Sequence, residues 1–231
     1  MSQLAVLLWA VSAVSWGLSC LHIITPGKWG GRPANCSTPL KDVQTGYVVT
    51  LHTAGRSCST QAECNQELLN IQQHHMNSKG WCNLAYNFLI GEDGNVYEGR
   101  GWNTEGAHTY GYNDIALGIA FIRPPPAESE APLHPALYKR HFLLHVRSTQ
   151  GPVPPQRPGR FSEPRPLPRS LSGRSPNAAA WVALKRLLHF AVEAGYLSSN
   201  YLIMAHGDVS NTISPGQPIP NVLKTWPHYK H

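Results

Sequence analysis

Apolar positions recur along this chain with two different periods, and the change from one to the other marks its elements. Residues 46–52 form a β-branched run around Val48, Val49 and Thr50 and read as a central strand. Thr60 and Glu63 have capping-box spacing and open a predicted helix reaching to about Ser78. Its apolar residues Leu68, Leu69, Ile71 and Met76 make a rough inward stripe. Strands are predicted over 85–90 and 95–98, joined by the hairpin signal Glu92-Asp93-Gly94-Asn95. Tyr97 and Trp102 are assigned to the core, since large aromatic residues bury most of their surface. A further strand covers 115–122, a helix 178–194 stops at Gly195, a last strand covers 201–205, and a short helix near 220–225 closes the chain. Strands alternating with helices predict an α/β fold.

Two stretches break this pattern. Leu4 to Val14 is a short apolar run with a small-residue exit around Gly17 and Ser19. It is too short for a membrane span and reads as a secretory signal peptide over 1–19. Residues 124–176 hold 13 of the 20 prolines, with scattered Arg and Ser. Such composition buries too little apolar surface to offset chain entropy, so it reads as a disordered insertion in a domain spanning 20–231. The insertion admits several origins: a tolerated surface loop, a transcript variant, or a basic tail for anionic cell walls.

Charge and cysteines then narrow the class. The formal net charge is +6, but 123–176 alone carries nine Lys/Arg against three Asp/Glu, and the remaining ten of each sign cancel. The domain itself is therefore neutral, which removes the motive for a nucleic-acid partner. Five cysteines (Cys20, Cys36, Cys58, Cys64, Cys82) beside a signal peptide point to an oxidising, extracellular compartment.

One block is specific enough to name a family. Trp81-Cys82-Asn83-Leu84-Ala85-Tyr86-Asn87-Phe88-Leu89-Ile90, the Gly-bearing turn and Gly99-Arg100-Gly101-Trp102 together resemble the signature block of the animal peptidoglycan recognition proteins. That family is related to zinc amidases of phage and bacteria. The resemblance covers 23–122 and 177–231 and includes the C-terminal Thr225-Trp226-Pro227-His228-Tyr229. It implies a central mixed sheet flanked by helices, with a groove along one side. It also implies disulfides Cys58–Cys64 and Cys36–Cys82, which leaves Cys20 free, removed or intermolecular.

In the related amidases two histidines and a cysteine hold zinc, and a tyrosine supports the transition state. By resemblance the tyrosine is Tyr86 and the late histidine is His206, while the cysteine position holds Ser214. The strand histidine position falls on Leu51, and His52 takes the adjacent, peptide-facing position. A one-residue shift in register would turn His52 to the metal side, and Ser214 would still be there. A degenerate set of Leu51, His206 and Ser214 implies no catalytic residue and no cofactor. The alternative, an N-acetylmuramoyl-L-alanine amidase with an altered metal site, would require zinc.

What the resemblance leaves is a receptor. It implies a secreted innate-immunity protein that binds bacterial peptidoglycan through the muropeptide stem, with antibacterial action by binding. The carried-over binding residues are His52, Thr53, His75, Lys79, Gly80, Trp81, Tyr86 and His108, with His75 and Lys79 on one helix face. In the family, Gly-Trp just before the block's cysteine goes with meso-diaminopimelate at the third stem position and Asn-Phe with lysine; this chain has Gly80-Trp81. The sequence is compatible with a homo-oligomer and does not require one.

Overall fold

The computed structural model describes residues 21–123 and 175–230. The predicted signal peptide 1–19, Cys20, residues 124–174 of the predicted insertion and His231 lie outside the described residues.

In chain order the elements are β1 (Ile23–Ile24), α1 (Pro26–Trp29), β2 (Thr45–His52), α2 (Gln61–Gln73), a π-helical turn (His74–Ser78), β3 (Phe88–Ile90), β4 (Val96–Glu98) and β5 (Ala116–Phe121). After the insertion come α3 (Ala178–Glu193), β6 (Leu197–Ala205), α4 (His206–Val209) and α5 (Pro218–Leu223). The six strands form one mixed sheet in the order β1-β4-β3-β5-β2-β6. The β3–β4 hairpin is antiparallel, and β2 runs parallel to β5 and to β6. A strand with parallel neighbours on both sides is covered on both faces, which accounts for the continuous Val48-Val49-Thr50-Leu51 run.

Each face has its own core. On one, α3 lays Leu184, Leu187 and Leu188 against Phe88, Leu117 and Ile119. On the other, α2 brings Leu68 and Ile71 over Val49, Leu89 and Ala120. Helix α2 starts where the capping box places it: the Glu63 N–H donates to Thr60 Oγ1, and the Glu63 carboxylate accepts from the Ser59 and Thr60 N–H groups. The Cys58–Cys64 disulfide clamps that start, and Cys36–Cys82 ties the loop after α1 to the segment before β3.

The structure revises the predicted elements in four places. The helix predicted to Ser78 is α-helical only to Gln73, and its last turn is π, which turns His75 inward and carries Lys79 out to solvent. The two remain within electrostatic reach of each other, one buried and one at the surface. The strand predicted over 85–90 shortens to Phe88–Ile90, because Ala85 O and Tyr86 O accept from Ala107 N–H and Arg100 N–H instead of from a neighbouring strand. Strand β6 begins at Leu197, four residues early, across a register shift opposite Thr45 and Tyr47. Short β1, α1 and α4 carry too little periodicity to be read. Tyr97 is fully buried, whereas Trp102 is half-buried, stacked on Tyr196 at 4.7 Å and packed on the α3-side core.

Candidate functional site

His75 and His108 stand by the α2-side core, His52 meets Ser214 at the end of β2, and each ring is held by a different device. His75 comes from the π-helical turn. Its Nδ1 accepts from the Ala85 N–H at 3.1 Å, which leaves the ring proton on Nε2. The Trp81 ring packs on it at 4.8 Å and Tyr86 meets it edge-on at 5.9 Å. Burial, then the positive neighbours His74, Arg100 and Lys79, lowers the His75 pKa to about 4. Burial also pushes the Tyr86 phenol up to about 12, so Tyr86 stays a neutral hydrogen-bonding group.

His108 lies flat against the sheet. A Cβ on either Gly106 or Gly118 would fall 2.2 Å from its Cδ2, so both glycines are there to admit the ring. Asn113 Oδ1 accepts from the His108 and Thr109 N–H groups, both at 2.7 Å, and fixes the loop. His108 Nδ1 pairs with Thr109 Oγ1 at 3.0 Å. Burial first, and then His206, lowers its pKa to about 3. Gly118→Ala is expected to cost about 1–3 kcal/mol through overpacking. Gly46→Ala, where a Cβ meets nothing within 4 Å, serves as the control. Urea midpoints of the two variants check this.

His52 ends β2, and its Nδ1 lies 2.8 Å from Ser214 Oγ. Burial, then Arg123 and His206, lowers the His52 pKa to about 4. His206 opens α4, where the Asp208 carboxylate accepts from the Ala205 N–H at 2.7 Å and from the Tyr229 hydroxyl at 2.8 Å. Three ring nitrogens, His52 Nε2, His108 Nε2 and His206 Nδ1, are buried without a partner among the described residues. Thr53 Oγ1 accepts from the Arg123 N–H at 3.3 Å, which ties the ends of β2 and β5 together. Leu51 is buried in the α2-side core, so the β2 residue whose ring meets Ser214 is His52.

Lys79 and Gly80 are exposed. Gly80 has φ +70°, and the space where a Cβ would stand is open. Glycine is thus favoured there by the backbone as well as by any demand for room. Arg100 and Asn113 were missed by sequence reasoning. Arg100 donates to Leu84 O and, at 2.7 Å, to Glu105 O, and so braces the segment before Tyr86 against the loop leading to His108. Both residues act on backbone groups, and no sequence spacing reports that.

The donor set at Ser214 is two imidazoles and a neutral hydroxyl. Among the described residues, no group of three or more His, Cys, Asp or Glu side chains is placed to hold a metal ion. A neutral hydroxyl is a far poorer zinc ligand than the thiolate, carboxylate or third imidazole that completes a two-histidine catalytic site, so these residues do not fit a catalytic zinc. That conclusion rests on Ser214 in either register of β2.

Similarity to known proteins agrees with the fold. A family model described as N-acetylmuramoyl-L-alanine amidase matches residues 41–217. The chain is 39% identical over 213 residues to peptidoglycan recognition protein 3 of Mus musculus, covering 92% of this chain but only 48% of that protein's length. It is 36% identical over 230 residues to peptidoglycan recognition protein 1 of Bos indicus, covering 99% of this chain and 96% of that one. Among solved structures, peptidoglycan recognition protein-LE in complex with tracheal cytotoxin, a monomeric diaminopimelic acid-type peptidoglycan, superposes with a TM-score of 0.68 at 32% identity, covering 90% of this chain and 95% of that one. With the fold, the disulfide pairs and near full-length similarity in agreement, the chain belongs to the peptidoglycan recognition protein family, on the amidase-type domain.

Proposed function

We propose that this chain binds bacterial peptidoglycan by the muropeptide stem, without cleaving it, as a secreted pattern-recognition protein of antibacterial innate immunity. The observation that carries this reading is Ser214: a hydroxyl against His52 Nδ1 where hydrolysis would need a thiolate, beside an otherwise complete wall of His75, Trp81, Tyr86 and His108. Trp81 and Tyr86 offer aromatic faces and a hydroxyl to sugar and amide groups. The buried nitrogens of His52, His108 and His206 that find no partner among the described residues favour a polar ligand, since such groups are normally satisfied. Thr53 and Lys79 act at the rim. Two disulfides support an extracellular setting, and no helix among the described residues is long and apolar enough to cross a membrane.

The open space beside Gly80 supports a preference for meso-diaminopimelate, whose additional carboxylate needs room and finds the Lys79 ammonium next to it. Calorimetric titration with soluble muropeptides of the two stem types tests this. Binding of the diaminopimelate form about 10-fold tighter than the lysine form is expected, from a single additional charge-assisted contact. Equal or inverted affinities would remove the preference.

A further inference from the structure

A cavity of about 540 Å³ opens on the opposite side of the sheet from the histidine groove, between α3, β6 and the C-terminal segment. Its volume is that of a small-ligand site. Its walls are of two kinds. The first is aromatic. The Tyr201 and His228 rings are stacked face to face at 4.2 Å and 9°, with His228 Nδ1 pinned to Tyr201 O at 2.9 Å. Trp226 stands across from them, fixed edge-on to Trp181 at 5.8 Å. The second is basic. Lys185 Nζ lies 5.3 Å over the Trp226 ring, His189 adds an imidazole from the next turn of α3, and no carboxylate among the described residues lines the cavity.

Rigid aromatic faces suit the flat C–H faces of a pyranose ring, and the Lys185 ammonium with the His189 ring beside it suits an anionic substituent. A ring pair already locked by its own hydrogen bond loses little freedom on binding, which favours a built site over an accidental hollow. None of these side chains takes part in the groove or in the metal-like cluster.

We infer that this cavity is a second carbohydrate site, for an N-acetylated sugar carrying a carboxylate or a phosphate. Muramic residues without a stem peptide and phosphate-bearing wall glycans both present that chemistry. Two sites on opposite faces would let one chain engage an insoluble wall at two points and raise its retention without tightening the grip on a free stem peptide. The inference rests on the wall-binding reading only for the source of the sugar, not for the site itself.

The test is titration of the native chain with N-acetylmuramic acid, with N-acetylglucosamine 6-phosphate and with neutral N-acetylglucosamine, repeated with Lys185→Glu. Lys185 is exposed, so its reversal leaves the core intact. Saturable binding of at least one acidic sugar is expected, about 10-fold tighter than the neutral one, and lost at least 10-fold in Lys185→Glu. Muropeptide affinity is expected to be unchanged by that variant. Tighter binding of the carboxylate sugar would assign the site to the glycan strand, and tighter binding of the phosphate sugar to phosphorylated wall polymers. No saturable binding of either acid, a neutral sugar bound equally well, or full affinity in Lys185→Glu would each overturn the inference. If the muropeptide titration fails while the acidic sugar binds, the groove reading falls and this site stands.

Discussion

Ser214→Cys raises the affinity of the chain for zinc by about 100-fold or more, because it supplies the one ligand type that the cluster lacks. Ser214 Oγ already lies 2.8 Å from His52 Nδ1, and His206 Nδ1 is buried with no partner among the described residues, so a thiolate at this position would join two imidazoles whose nitrogens are not otherwise committed. Metal binding would also stabilise the fold, since the site is not assembled in the unfolded chain. Competition with a coloured chelator measures the affinity, and melting with and without zinc gives an independent readout. Leu51→His makes a useful second arm. Leu51 is 3% exposed in an apolar core, so a lone imidazole there should cost roughly 1–3 kcal/mol. If Ser214→Cys binds zinc only when combined with Leu51→His, the ligand from β2 is residue 51 and the ring geometry at His52 is a bystander.

The second large effect is on stability in acid. His75 and His108 are held neutral by burial, with pKa values lowered to about 4 and about 3. In the unfolded chain both return to about 6.5. Below that pH the unfolded state takes up protons that the folded state refuses, so stability is complete above about pH 6.5 and falls as the pH drops toward 4. Summed over the two rings, the loss between pH 7 and pH 5 is on the order of 4 kcal/mol, a large share of a typical folding free energy. Urea unfolding at the two pH values, read as midpoints at constant slope, measures it. A flat profile would mean that one or both rings is hydrated and titrates normally in the folded state. The disulfides remain closed throughout and do not contribute to the difference.

Much of the scaffold could be read from residue order, for identifiable reasons. Strands β2 and β5 and helices α2 and α3 declare themselves because their burial is periodic or continuous and their ends are capped, as at Thr60 and at Asn177, whose side chain accepts from the Ala180 N–H. The disulfide pairs implied by resemblance are the ones observed. What could not be read depends on backbone details that side-chain pattern does not encode. The π-helical turn follows from a hydrogen-bond shift, and it buries His75 while leaving Lys79 exposed. The role of Gly118 becomes visible only when the His108 ring is seen against it. The facing of His52 toward Ser214 was open because a strand that ends at the site can present either of two neighbouring residues.

A receptor of the kind proposed holds a muropeptide in its groove and leaves the muropeptide's amide intact. The most direct measurement is the titration of native protein with the diaminopimelate muropeptide in the presence of zinc, followed by mass analysis of the recovered ligand. Saturable binding with the muramoyl-alanine amide unbroken is the predicted result. Recovery of separate sugar and peptide, in proportion to protein and time, would contradict it and return the chain to the amidases despite Ser214.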